Sequence, residues 1–90
     1  RYVLKVQGDS MIDAFINEDD YVVVEKVQDL PVNQIAIALL NGNALIKRLI
    51  RRSDGQIILR SENPDYNDIY VQKTDDLKVT GRVVQVIRNY

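Results

Sequence analysis

Histidine and cysteine are absent from the 90-residue chain. Their absence excludes a hydrolase that relies on imidazole or thiolate chemistry, and it also excludes disulfides and thiolate metal sites. A chain without cysteine is compatible with a reducing cytoplasm, where we expect this protein to be. The 4 glycines are scattered at turns and form no phosphate-binding loop, which leaves little support for a nucleotide-binding enzyme.

An excess of one charge and a long apolar run are also lacking. The 12 basic and 13 acidic residues give a formal charge of −1, so no overall basic field is available to hold nucleic acid. No stretch could cross a bilayer and no signal peptide is present, so we expect no membrane partner.

Residues 1–90 are enough for one small domain. Because Arg1 leads straight into an apolar stretch, we expect a fragment of a longer protein.

Short runs of β-branched and apolar residues alternate with turn residues, which predicts a mainly β fold. We predict roughly six to nine short strands in a compact, partly closed barrel or folded-sheet assembly. The predicted strands cover residues 2–6, 21–26, 35–40, 44–51, 56–60 and 69–71, with one or two more over 77–79 and 81–87.

Connections between these strands carry their own signals. Asn41-Gly42 predicts a hairpin, and Ser53-Asp54-Gly55 predicts a second turn of the same kind. The apolar run 35–40 is typical of a strand that is covered on both faces. Residues 11–16 predict a short helical turn or irregular connection, with Met11 and Phe15 in the core or in a subsite wall.

Lys47 is placed unusually within its predicted strand. Alternation puts it on an apolar face between Leu45 and Leu49. A buried ammonium without a carboxylate partner is costly, and proteins usually relieve the cost by a lowered pKa that leaves the amine neutral. A neutral amine is a general base. Alternatively, Lys47 could extend its amine past the leucines to solvent.

The turn Gly8-Asp9-Ser10-Met11 supplies a possible partner for that base. A serine in a turn of small residues can expose its hydroxyl while adjacent backbone N–H groups point at a developing oxyanion. Gly-Asp-Ser is also common turn chemistry, so the serine taken alone could be structural. Since a Ser–Lys pair is a known alternative to the Ser–His–Asp triad, the two residues together favour a nucleophile, Ser10, with a base, Lys47.

Two charged clusters carry less weight. The acidic turn 17–20 has no second ligand group at a recognisable spacing, so we expect a solvated turn, no metal site and no cofactor. The basic side chains of Arg48, Arg51, Arg52 and Arg60 have no interleaved aromatics. They favour a solvated face or a protein-docking surface over a nucleic-acid patch.

Several stretches follow in the order and spacing of a known family: Val-Gln-Gly-Asp-Ser-Met at 6–11, Tyr-Val-Val-Val at 21–24, Ile-Lys-Arg-Leu at 46–49, Leu-Arg-Ser-Glu-Asn-Pro-Asp-Tyr at 59–66 and Gly-Arg-Val-Val-Gln-Val-Ile at 81–87. With them the chain resembles the C-terminal domain of LexA, the phage CI-type repressors and UmuD over nearly its whole length. Signal peptidases share the serine and lysine motifs, but they are membrane-anchored.

The resemblance implies roles for particular residues. Ser10 would be the nucleophile and Lys47 its base. The backbone N–H groups of Asp9 and Ser10 would form the oxyanion hole, and Met11 would belong to the substrate-binding site.

The resemblance also implies a serine endopeptidase that cuts its own upstream linker, usually at Ala-Gly, and so inactivates a transcriptional repressor in a DNA-damage (SOS) or prophage-induction response. No Ala-Gly pair occurs in this chain. The implied partners are a second copy, joined through an exposed apolar edge strand at 83–87, and a RecA–single-stranded-DNA filament. DNA would be bound only by a separate N-terminal helix-turn-helix domain. Two alternatives remain: a catalytically silent dimerisation or regulatory module, and a UmuD-like polymerase accessory protein.

Two turns depart from the family pattern. Asp19-Asp20 stands where relatives often have Gly-Asp, and Asn33-Gln34 stands where they often have Gly-Gln. Asn and Asp tolerate left-handed backbone angles better than most residues, so we expect both turns to survive.

Overall fold

The structure, a computed structural model, describes residues 1–89 as a single antiparallel sheet with one short 3-10 helix. Its strands are β1 (Tyr2–Lys5), β2 (Tyr21–Glu25), β3 (Ile35–Leu40), β4 (Asn43–Arg51), β5 (Ile57–Arg60), β6 (Ile69–Tyr70) and β7 (Leu77–Ile87). The sheet has seven strands in the order β1-β2-β7-β3-β4-β5-β6 and is not closed. The prediction of a mainly β fold is therefore confirmed.

The 3-10 helix spans Ile12–Ala14 and lies where a short helical turn was predicted. No helix in the described part of the chain has the length and apolar character needed to cross a membrane. Phe15 closes this turn in a left-handed conformation, φ 61°, and its side chain is 82% exposed. The prediction of Phe15 as a core residue is wrong, because a single 3-10 turn does not place i and i+4 on one face, whereas Met11 is buried.

Turn chemistry sets the central hairpin. Asn41 and Gly42 both have positive φ, 51° and 84°, as the tight hairpin turn between β3 and β4 requires. The register that follows pairs Ala36 with Lys47 and Ile37 with Ile46. Lys47 is thereby fixed in the middle of a paired strand.

The two turns that depart from the family pattern keep left-handed backbones. Asp19 has φ 70° and Asn33 has φ 63°. The expectation that Asp and Asn would tolerate these positions is confirmed.

Strand β3 carries apolar contacts on both of its faces, as its continuous apolar run predicted. Ile37 packs with Val22 and Val24 on one side. Ala36 and Ala38 pack on the other side, with Leu49 and Leu59. The fold therefore has two core clusters with β3 between them.

The long strand β7 connects the two halves of the sheet. It pairs with β3 from Leu77 to Arg82 and with β2 from Arg82 to Ile87. Beyond Arg82, the edge of β7 that faced β3 has no ladder partner among residues 1–89. The expected apolar edge strand is therefore present in its C-terminal half, where Val84, Val86 and Ile87 are exposed.

Gly81 lies where β7 changes partners, and it has no room for a side chain. A Cβ there would lie 2.6 Å from both the Glu25 carbonyl oxygen and Val24 Cγ1. We predict that Gly81→Ala lowers the free energy of unfolding by about 1–3 kcal/mol, because backbone and core must both shift. Urea denaturation measures this, with Lys78→Ala, at an exposed position of the same strand, as control. Equal midpoints for the two variants would contradict the tight crossing.

Candidate active site

Lys47 is buried, with 7% of its surface exposed, on the face of β4 that also buries Leu49. Its amine therefore does not reach solvent past the leucines. Nζ donates a hydrogen bond of 2.9 Å to Ser61 Oγ. No ion pair among the described residues involves Lys47, and burial alone lowers the pKa of its amine. The predicted apolar burial of this lysine is confirmed.

Ser10 lies in the turn that follows β1 and comes directly after Asp9. Gly8, at the start of this turn, has φ +79°. Its side chain is partly exposed. Within residues 1–89, the N–H groups of Asp9 and Ser10 donate no hydrogen bond to other protein groups. The turn therefore carries a partly exposed hydroxyl and two N–H groups without an acceptor among residues 1–89.

One cavity of about 300 Å³ is lined by both Ser10 and Lys47. Its other lining side chains are mostly apolar and include Val6, Met11 and Ile37. In the described part of the chain no direct hydrogen bond joins Ser10 to Lys47, and the amine bonds to Ser61 instead. The structure thus brings the predicted nucleophile and base to one cavity, and Met11 lies in its wall.

The connection between β5 and β6 holds the serine turn from outside. We call residues Ser61–Tyr66 the bracing segment. Asn63 is buried, and its Nδ2 donates to the Asp9 carbonyl at 2.9 Å. Asn63 Oδ1 accepts from the N–H of Asp65 at 2.9 Å. One amide side chain therefore fixes the serine turn to the bracing segment.

Glu62 extends the brace to the residues that follow Ser10. Its carbonyl accepts from the Asp13 N–H at 2.8 Å, and its own N–H donates to Met11 Sδ at 3.4 Å. The Glu62 carboxylate pairs with Arg48, the residue after Lys47. The bracing segment thus contacts both the serine turn and the lysine strand.

Tyr66 completes the bracing segment and is 43% exposed. Its hydroxyl donates to Asp9 Oδ1 at 2.5 Å, and this bond raises the pKa of the phenol. The Tyr66 ring centroid lies 5.4 Å from Lys47 Nζ, within range of a cation–π contact.

Other charged groups near the site are already paired. Lys5 also lines the cavity, and its amine lies 3.7 Å from Asp19. In the predicted basic cluster, Arg52 pairs with Asp54 and Arg60 with Asp68. Together with Arg48, which pairs with Glu62, three of the four arginines of that cluster are in ion pairs.

The contacts that the bracing segment makes with the candidate site could not be predicted from the sequence. The only available signal was the resemblance over 59–66, which named no role for Ser61, Asn63 or Tyr66. Their contacts with Lys47 and Asp9 join residues 14 to 57 positions apart, and no local pattern reports such pairs.

Removal of the Asn63 side chain tests the brace. We predict that Asn63→Ala lowers the free energy of unfolding by about 1–3 kcal/mol, because the Asp9 carbonyl and the Asp65 N–H both lose their partner. Chemical denaturation measures the loss, and the exposed Asn67→Ala is the control, expected within about 0.5 kcal/mol of wild type. A neutral Asn63→Ala would show that the serine turn is held by other contacts.

Comparison with known proteins gives the chain its family. The model of the Peptidase S24-like family matches residues 1–84. The LexA repressor of Syntrophotalea carbinolica is 45% identical over 89 residues, which is 99% of this chain and 44% of that protein. Those of Magnetococcus marinus (45% over 85 residues; 94% and 36%) and Thermosipho melanesiensis (40% over 89 residues; 99% and 44%) are similar. The chain thus spans less than half the length of these relatives, and it belongs to the Peptidase S24-like family as a domain of the LexA type.

Proposed function

We propose that this domain is a self-cleaving serine endopeptidase in which Lys47 is the base and Ser10 the nucleophile. The observation that carries the proposal is the burial of Lys47 without a carboxylate, in a cavity that Ser10 also lines. A buried amine with a lowered pKa is neutral, and so able to act as a general base, over a wider pH range than an exposed lysine. The family match and the repressor relatives support a peptidase acting within a repressor.

The proposed reaction begins with proton transfer. Neutral Lys47 takes the Ser10 hydroxyl proton as Oγ attacks a peptide carbonyl, and the protonated amine then gives a proton to the leaving amine. A water molecule hydrolyses the resulting ester and regenerates the serine. The Ser10–Lys47 hydrogen bond would form when substrate binds, since catalytic hydrogen bonds are often not formed before that point.

The oxyanion would be stabilised by the N–H groups of Asp9 and Ser10. Both donors are free of internal partners within residues 1–89. The Asn63 bond to the Asp9 carbonyl holds this peptide in place without occupying either donor. Donors that are fixed before the reaction stabilise developing charge at little reorganisation cost.

Ser61 would orient the base. A neutral amine can donate one N–H to Ser61 Oγ and still direct its lone pair at Ser10. Without that anchor, the long lysine side chain could adopt other rotamers in the cavity. Ser61 therefore acts through Lys47 as a positioning residue.

The proposed substrate is a linker upstream of Arg1 in the full-length protein, as the resemblance to LexA implies. The cavity of about 300 Å³ lies at the lower end of the range of about 300–1,000 Å³ for ligand pockets. Its largely apolar lining suits small apolar residues such as those of an Ala-Gly bond.

The cellular role proposed here follows the repressor relatives. Cleavage would separate an N-terminal DNA-binding domain from this domain and end repression, with a RecA–single-stranded-DNA filament as the stimulus, in the cytoplasm. The unpaired edge of β7 beyond Arg82, with its exposed valines, supports a homodimer.

A catalytically silent dimerisation module is the second candidate. The observation in its favour is that the Lys47 amine bonds to Ser61, with no direct bond to Ser10 in the described part of the chain. The same fold would then serve only to join two copies.

Self-cleavage of the full-length protein decides between the two candidates. We expect the wild type to cut upstream of Arg1, and Ser10→Ala and Lys47→Met to stay intact because each lacks one partner of the dyad. Met preserves the apolar packing of the buried lysine stem. The rate should rise with pH up to the lowered pKa of Lys47 and then level off, since only the neutral amine is a base. Gel analysis and mass spectrometry of the fragments measure the rate and the cut site.

Circular dichroism of both variants is the control that separates lost chemistry from lost fold. Cleavage that persists in Lys47→Met would exclude Lys47 as the base. A wild type that stays intact at every pH, with and without activated RecA filament, would favour the silent module.

Ser61→Ala tests the positioning of the base. We expect cleavage to slow by about tenfold, since one hydrogen bond orients the amine. The midpoint of the pH–rate profile should move to lower pH, because the ammonium form loses an acceptor. Ser53→Ala, in the exposed turn between β4 and β5, is the matched control. A midpoint that stays fixed would contradict a role for Ser61 at the amine.

A further inference from the structure

Tyr66 touches both halves of the candidate site, although no motif assigned it a role. Its hydroxyl binds the carboxylate of Asp9, the residue directly before Ser10. Its ring lies 5.4 Å from the amine of Lys47. Ser10 and Lys47 are otherwise carried by different elements, the turn after β1 and strand β4.

We infer that Tyr66 is a positioning residue that sets the separation of nucleophile and base, by holding the serine turn through Asp9 while its ring rests against the Lys47 amine. This inference deepens the peptidase proposal and rests on it.

The contact with Asp9 is well suited to this task. At 2.5 Å, it has the length of a hydrogen bond between a hydroxyl and a carboxylate, which is stronger than a neutral one. It joins residues 57 positions apart. Asp9 is also held at its carbonyl by Asn63, so backbone and side chain of this one residue are both fixed to the bracing segment.

Placement of the Tyr66 ring is equally determined. The Tyr66 N–H donates to the Asn63 carbonyl at 3.1 Å, which closes a turn over Pro64 and Asp65. Asn63 is buried, so the turn starts from a fixed point. The backbone of Tyr66 is thereby fixed, and its ring centroid lies 5.4 Å from the Lys47 amine.

The bond persists under the conditions that the reaction needs. The Asp9 carboxylate raises the pKa of the Tyr66 phenol and burial lowers the pKa of the Lys47 amine, so both shifts favour a state in which the hydroxyl keeps its proton while the amine has lost its own. The charged and titratable groups around the amine are Tyr66 with Asp9, the Arg48–Glu62 pair, and Lys5 with Asp19 across the cavity. Of these, only Tyr66 and Asp9 join the serine turn to the amine.

Self-cleavage of full-length variants tests the inference. Tyr66→Phe keeps the ring at Lys47 and loses the bond to Asp9, so we expect cleavage to slow about fivefold or more with an unchanged pH midpoint. Asp9→Ala should slow cleavage to the same degree, and Asp9→Asn, which keeps an oxygen acceptor, should retain most of the rate. Tyr70→Phe, at an exposed tyrosine on β6, is the matched control and should cut like wild type.

The double variant shows whether the two residues act through one bond. Tyr66→Phe with Asp9→Ala should be no slower than either single variant, and in the Phe background Asp9→Asn should no longer differ from Asp9→Ala. A Tyr66→Phe protein that cuts at the wild-type rate, or effects that multiply in the double variant, would overturn the inference and leave the dyad proposal intact.

A second measurement does not depend on cleavage. In full-length protein with ¹³C-labelled tyrosine, the Tyr66 resonance, assigned by its loss in Tyr66→Phe, should titrate at higher pH than in Asp9→Ala. The same titration in both proteins would overturn the inference. If the wild type does not cut while this dependence on Asp9 is present, the peptidase proposal fails, and the positioning role of Tyr66 fails with it.

Discussion

The desolvated amine of Lys47 is the constraint on which the rest of the site depends. Among residues 1–89, two ionisable side chains are buried, and their surroundings differ. Asp20 is 3% exposed and is held by Arg88 through two bonds of 2.8 Å, which lower the pKa of its carboxyl and keep it charged. The hydrogen-bond partner of the Lys47 amine is the uncharged hydroxyl of Ser61. Burial lowers the pKa of the Lys47 amine, and for a lysine a lowered pKa favours the neutral form.

The same burial has a consequence for stability. The charged form of lysine is the protonated one. A lysine whose pKa is lower in the folded state than in the unfolded state therefore destabilises the fold when it is protonated. For Lys47 this cost develops as the pH falls from the ordinary lysine value of 10.5 through its lowered value. The domain is therefore less stable with lysine at position 47 than it would be with an apolar residue there, as expected of a functional group in a core.

The fold makes room for the lysine by the choice of its neighbours. Ala36 lies directly across the hairpin from Lys47, and a methyl side chain leaves space for a long stem on that face. Leu49 and Leu59 pack beside it in the same core cluster. The position of Lys47 was readable from the sequence because alternation in a strand and the Asn41-Gly42 turn are local signals. The strands, both hairpin turns and the two-sided burial of β3 were readable for the same reason.

What could not be read is the bracing segment. The buried Ser61 hydroxyl and the buried Asn63 amide form their contacts with Lys47 and Asp9, which are distant in sequence. Asn-Pro by itself signals a loop. The same limit explains Phe15, because its exposure depends on where a single helical turn ends. Within the serine turn, the described hydrogen bonds of Asp9 to the rest of the protein come from Asn63 and Tyr66, and Met11 Sδ accepts a further one from the Glu62 N–H. A nucleophile in such a turn is positioned by the bracing segment. The geometry of the dyad therefore depends on the connection between β5 and β6 as much as on the two residues themselves.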